Sequence, residues 1–400
     1  MLHLKSGTPG SKILLTTRDW KVAEIVKSRH IIELGLLSEA ESWSLFLKCS
    51  GWVVEELGSE YIEVGKEILN RCSGVPLAIR TLGGILCENK EISIWRAIKG
   101  SDLWNVNSIK DSVFASLKLS FIYLADQLKQ CFMFCSIFPK GIEIYKDCLI
   151  AQWIAHGFIT EMNGMQLEDI GSAYFDCFVK VGFLHDTYKH WYTGETICKM
   201  HDLIHDLTRH ILEYEVVTCL PNNMTTNYTQ KCRYLSLTSC AEKVNRVSFD
   251  KVHALFASGA SSTSLNKLIK KSCYVRSVIL QYTIDNSLPL FIMKFEYLGY
   301  LEIHGLNTTE LPEAISGCWN LQALVFIECI GFVTLPESIG KLKKLRTLQL
   351  RHNTDLGSLP LSVGDCQDLQ SLQLYYCQKL RTISGSLGRN GRLRVLQKFR

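Results

Sequence analysis

Four hundred residues suffice for two or three domains of ordinary size. With 47% hydrophobic and 21% charged residues, the composition is that of a folded chain rather than a disordered one. The longest apolar run, Cys131 to Phe138, stops at Pro139, far short of the ~18 residues of a membrane span. The opening MLHLKSGTPGSK lacks the apolar stretch of a signal peptide. A membrane anchor and a secreted protein are both argued against, and a reduced, intracellular (cytoplasmic) setting is expected.

Sixteen cysteines are scattered singly through apolar segments, with no C-x-x-C pair. They read as small buried hydrophobes rather than as a disulfide frame or a zinc cluster. The sequons at Asn223, Asn227 and Asn307 read as chance matches. Net charge is +5, yet residues 341–400 hold 12 basic against 3 acidic residues. That basic end reads as the solvated face of a repeat rather than as a nucleic-acid footprint.

Taken in chain order, Ser11–Thr17 is an apolar run entered from a Gly-Pro turn and left through Arg18-Asp19. It reads as a buried parallel strand with a cation at its carboxyl end, where α/β sheets place ligands. Ser38-Glu-Ala-Glu41 is a capping box that opens a helix with Trp43, Phe46 and Leu47 on one face. A helix over 59–71 ends at Ser73-Gly74, and Pro76 begins the next, over 77–86. The pattern breaks at Phe134–Pro139, and a helix over 145–156 is closed by Gly157. A helix over about 168–181 follows, then two short strands, 182–186 and 196–200, around Thr193-Gly194. A last helix spans 201–212. Three helices and a hairpin outline a winged helix.

From Val275 onward L-x-x-L-x-L recurs, at Val275, Leu298, Leu321, Leu345 and Leu369, with a sixth copy opening at Leu393. The spacings are 23 or 24 residues, and a second signature, Leu-Pro, follows at 288, 311, 335 and 359. One strand and one turn cannot bury their apolar side alone, so such units stack and their leucines form a ladder. Weaker copies are expected near Cys232 and Val252. The strand positions flanking each L-x-L, among them Tyr300, Glu302, His304, Val325, Ile327, Gln349, Arg351, Gln373 and Tyr375, are expected to face solvent as a recognition surface.

GSKILLTTRD (10–19), CSGVPLAIRTLGG (72–84), LKQCFMFCSIFPK (128–140), LIAQWIAHGFI (149–159) and KMHDLIHDL (199–207) stand in this order ahead of the repeats. The chain thereby resembles a plant NB-ARC leucine-rich-repeat disease-resistance protein, an intracellular, non-enzymatic immune receptor of the nucleotide-switch class. The resemblance implies four parts. These are a remnant of a P-loop-type α/β nucleotide-binding domain (1–35), a helical domain (36–110), a winged helix (111–215) and, after a linker (216–231), leucine-rich repeats (232–400). It implies ADP or ATP as cofactor, with Arg18 near the terminal phosphate, Pro76 on the adenine and His201 on the ADP β-phosphate. No G-x-x-x-x-G-K-[ST] occurs, so a chain truncated at its amino terminus, with little or no nucleotide binding of its own, is expected. A pathogen effector, a guarded host protein or a full-length receptor are the partners implied.

Other readings are weaker. His201 and His205 stand one helical turn apart, a zinc-compatible spacing, but the glutamate of H-E-x-x-H is missing. No metal is expected, and His205 reads as a surface or interdomain residue. A DNA-binding winged helix would present Glu168, Asp169 and Asp176 to phosphates, which repel them. An extracellular repeat adhesion protein would need a signal peptide. The remaining alternative is a repeat module or decoy that binds protein without nucleotide.

Overall fold

A computed structural model describes residues 11–17, 19–27, 30–53, 57–162, 164–191, 193–220, 223–224, 231–238, 249–269, 271–284, 288–383 and 385–399. Arg18, expected at the nucleotide, lies outside the described residues. Ser11–Thr17 forms no strand, and its apolar side chains are exposed, Leu14 at 91%. This corrects the buried strand expected there. A parallel strand is stabilised by neighbours on both edges and cover on both faces, and no described strand lies beside this segment.

After the short helix α1 (Trp20–Val26) comes a helical unit of α2 (Glu39–Ser50), α3 (Ser59–Arg71), α4 (Pro76–Glu88) and α5 (Ile92–Lys99). The capping box of α2 forms as expected: Ser38 accepts from Glu41 N–H, and the Glu41 carboxylate accepts from Ser38 N–H. Pro76 occupies the first turn of α4, where a missing N–H costs nothing. Phe46, Ile68, Leu82 and Trp95 meet in one core.

The next unit holds α6 (Ile109–Ile122), α7 (Asp126–Phe134), strand β1 (Ile144–Tyr145), α8 (Lys146–His156) and α9 (Leu167–Val181). The wing is β2 (Leu184–Lys189) and β3 (Thr196–Met200), and α10 (Asp202–Leu212) follows. The strands pair antiparallel in the order β1-β3-β2. Gly157 closes α8 at φ +74, which only glycine adopts without strain. A Cβ on Gly84 of α4 would stand 2.9 Å from the Val181 Cα of α9, so the absence of a side chain sets how closely the two units pack.

The solenoid is one ten-stranded sheet, β13-β12-β11-β10-β9-β8-β7-β6-β4-β5. Its strands are β4 (Val216–Leu220), β5 (Asn223–Met224), β6 (Tyr234–Thr238), β7 (Ala254–Ser258), β8 (Ser277–Gln281), β9 (Tyr300–His304), β10 (Ala323–Ile327), β11 (Thr347–Arg351), β12 (Ser371–Tyr375) and β13 (Val395–Phe399). Helix α11 (Ser262–Ile269) backs its early part. The leucine ladder has the expected register, Leu301 beside Leu324, Leu348 and Leu372. The weaker copies near Cys232 and Val252 are real strands, β6 and β7. Where a linker was expected, β4 pairs in parallel with β6, Val216 beside Tyr234. Val216-Val217 supplies the same alternation of buried side chains as the repeats, without the leucines that reveal it.

Two cysteines take a structural position in this ladder. Asn353, wholly buried, accepts from Cys329 N–H and donates to Phe326 C=O, closing the turn after the strand. Cys329 and Cys377 stand at the equivalent place in the neighbouring repeats, their thiols turned to backbone carbonyls. Among the described residues, no helix is long and apolar enough to cross a membrane.

Candidate functional site

The faces of β6 to β12 that flank the leucines are covered by the chain's own winged helix. Tyr300, Glu302, Val325, Ile327, Gln349, Arg351, Gln373 and Tyr375 are buried, correcting the expected solvent-facing surface. One continuous core joins Phe134, Ile150 and Ile154 to Tyr234, Phe256, Ile279, Tyr300 and Val325. The rings of Phe134 and Tyr234 meet edge to face at 5.9 Å. Gly299 lets the two units touch: a Cβ there would sit 2.9 Å from that of Ala155.

Polar groups lock this apolar contact. The Arg346 guanidinium grips both oxygens of Glu168 at 2.8 Å, so the acid at the start of α9 is engaged by the repeats. The Arg276 guanidinium donates to the His156 carbonyl at 2.7 Å, and the His156 ring meets the Ser277 hydroxyl at 2.9 Å. Burial, with Arg276 nearby, pushes the His156 imidazole down to about 3. It is therefore neutral at physiological pH.

At the centre, Arg351 pairs with Glu195 of the wing, and both are almost wholly buried. The guanidinium lies over the Tyr145 ring at 4.4 Å and donates to Gln349 Oε1 at 2.7 Å. Burial holds the Glu195 carboxyl above its usual range, with the charge of Arg351 opposing the rise. Beside this pair, Glu302 accepts from the Tyr300 hydroxyl and meets the His304 ring. Burial alone would raise the Glu302 carboxyl, but His304 and Tyr300 hold it below the usual range.

The residues expected at a nucleotide are placed as follows. Pro76 is exposed at the start of α4. His201 is the N-cap of α10, its Nδ1 accepting from Leu203 N–H at 3.2 Å. In the neutral ring that fixes the proton on Nε2, which makes this nitrogen the donor. Asp202 occupies the first turn of that helix and favours it through the dipole. His205, expected on a surface or interdomain face, is instead buried, with Nε2 2.9 Å from the Phe138 carbonyl. Among the described residues no cluster could hold a metal.

Among the described residues no phosphate cradle forms. Of the residues that the resemblance sets at a nucleotide, the described ones, Pro76 on α4 and His201 at the start of α10, offer one proline and one imidazole donor, which do not fit ADP or ATP as a complete site. Glu195, Arg346 and Gly299 were missed, and Arg351 was placed on a solvent-facing surface, because the repeat pattern marks which strand face avoids the ladder, not what covers that face.

Comparison with known proteins agrees with the fold. The NB-ARC domain family matches residues 1–53, and the disease resistance protein winged helix domain matches residues 137–208. The disease resistance protein RGA2 of Solanum bulbocastanum is 40% identical over 51% of this chain and 21% of its own length. RGA1 of the same species, named for the same class, is 32% identical over 76% of this chain and 29% of its own. The disease resistance protein RPM1 of Arabidopsis thaliana is 30% identical over 54% of this chain and 24% of its own. The chain thus spans less than a third of the length of these relatives. It carries the NB-ARC and winged-helix domains of plant disease-resistance proteins, joined to leucine-rich repeats.

Proposed function

We propose that this chain is the regulatory part of an intracellular disease-resistance receptor, in which the winged helix holds the inner face of the repeats shut until a pathogen cue releases it. The observation that supports this is the face itself, a surface suited to recognition and buried by a neighbouring domain through apolar contacts and ion pairs. Such an interface can be released as a unit. A protein ligand that binds only the open face shifts the balance toward the open form in proportion to its affinity for that form. The part played is that of a binding switch and not of an enzyme.

The test uses this chain fused behind the P-loop half of a close relative and expressed in leaf tissue. Glu168→Arg or Arg346→Glu alone sets like charges face to face at a bidentate contact. Each is expected to give cell death without pathogen, while the double exchange restores silence. Silence from both single variants, with an autoactive control responding, would refute the clamp.

ADP or ATP enters this reading through Arg18, Pro76 and His201, and these groups are too few for tight binding. Calorimetric titration of the purified 400-residue chain with ADP should show no binding below ~1 μM, since that affinity needs about 8 kcal/mol. Sub-micromolar binding would reveal a phosphate cradle in this chain and overturn the expectation.

A further inference from the structure

The ion pairs that join the winged helix to the repeats run one way. Arg233 meets Glu215, Arg346 meets Glu168 and Arg351 meets Glu195, with the cation on the repeats each time. Two hydrogen bonds have the same sense: Arg276 donates to the His156 carbonyl, and Gln373 donates to the Asp147 carboxylate at 3.5 Å.

This polarity is built into the repeat. Arg233, Arg276, Arg346 and Arg394 stand just before β6, β8, β11 and β13, and no acid takes that place ahead of any strand from β6 to β13. Among the described strand residues of the inner face, the one carboxylate is Glu302, already held by Tyr300 and His304.

Release of the winged helix therefore strips the counter-charges from this face. Guanidiniums left in that state are answered by carboxylates, which they grip bidentately, and they repel a basic partner. Spacing adds shape to the requirement. Arg346 and Arg351 bracket β11 and stand about 17 Å apart along the strand, while Arg276 lies three strands from Arg346, roughly 14 Å away. Between these three are Tyr300 and Val325, which share one core with Ile150 and Ile154 of α8. A nucleic acid would meet the arginines but bring nothing apolar to that centre.

We propose that the released inner face docks an acidic protein surface, with carboxylates set around an apolar or aromatic centre as the winged helix sets its own. This rests on the clamp proposed above and adds the chemistry of the partner that replaces it.

Selection from a phage-displayed library of random peptides tests it, on the full chain carrying Glu168→Gln and Glu195→Gln. Both substitutions lie in the winged helix, so the face itself is unaltered. Peptides that also hold to the unsubstituted chain are discarded. Deuterium exchange along β10, β11 and β12 reports whether the face has opened, and Glu168→Arg alone replaces the pair if the double variant does not fold. The retained peptides are expected to be richer in Asp and Glu than the starting library and to carry apolar residues among them. Synthesised singly, they should bind about tenfold more weakly when Arg346→Gln is added, and equally well after Lys341→Gln on an exposed turn. An open face that selects neutral or basic peptides, ignores Arg346→Gln, or prefers a DNA duplex to the peptides overturns the proposal while the clamp stands. A face that stays protected in the folded variant refutes the clamp, and the proposal falls with it.

Discussion

Leu348→Asp should unfold the solenoid locally, lowering stability by roughly 3–5 kcal/mol, because it leaves an unpaired carboxylate deep in the protein. Leu348 is wholly buried, with Leu324 on one side and Leu372 on the other. The chain cannot avoid the charge by turning the side chain outward, since a parallel ladder with a period of two presents the other face of the strand to the winged helix. Urea unfolding should show a lower midpoint, and limited proteolysis should cut near the repeat. Against a total of about 5–15 kcal/mol for an ordinary domain, that loss is large. The matched control is Glu337→Ala, on an exposed turn, expected within ~0.5 kcal/mol. Equal protease resistance of wild type and Leu348→Asp would refute the register. Gln349 does not serve as a silent control: it is buried, and its amide oxygen accepts from both Arg351 and Cys148.

The repeats were the most legible part of the sequence, for a physical reason. A solenoid writes the same packing rule at every turn, so Leu324, Leu348 and Leu372 identify one another at fixed spacing. Helix ends such as Ser38 and Pro76 were legible because a cap or a missing N–H is a local matter. Ser11–Thr17 was misread because its apolar run predicts burial only where neighbouring strands exist to bury it. The inner face was misread for the opposite reason. Val325, Gln349 and Arg351 look like surface residues in a strand considered alone, and only the docking of α8, α9 and the wing makes them core. A buried Arg351 is not visible until Glu195, 156 positions away, is brought beside it. Of the expected nucleotide contacts, the cap geometry of His201 adds a fixed tautomer that sequence could not give.

The pair of Arg351 and Glu195 should then be the most costly polar contact in the molecule to break from one side. Both side chains are at least nine-tenths removed from solvent, so the Coulombic gain of the pair is set against a desolvation cost of similar size. The intact pair therefore contributes little net stability over an apolar pair of the same shape. Removing one member is a different matter. Glu195→Ala would leave the guanidinium buried with Gln349, the Cys148 thiol and the Tyr145 ring as its remaining partners, a loss of roughly 3–5 kcal/mol. Because the two residues belong to different domains, that loss falls on their docking and not on either fold alone. The expected result is deuterium exchange that rises along β10, β11 and β12 and along the wing, while the amides of α3 and α4 in the helical unit stay protected. Glu195→Met combined with Arg351→Met should recover most of the protection, since no charge is then left without a partner. The coupling between the two sites, read from the double-mutant cycle, should be large and of the sign that favours the double variant over the sum of the singles. Exchange unchanged in Glu195→Ala would mean that the winged helix does not rest on the repeats in solution, and the closed arrangement described here would fail with it.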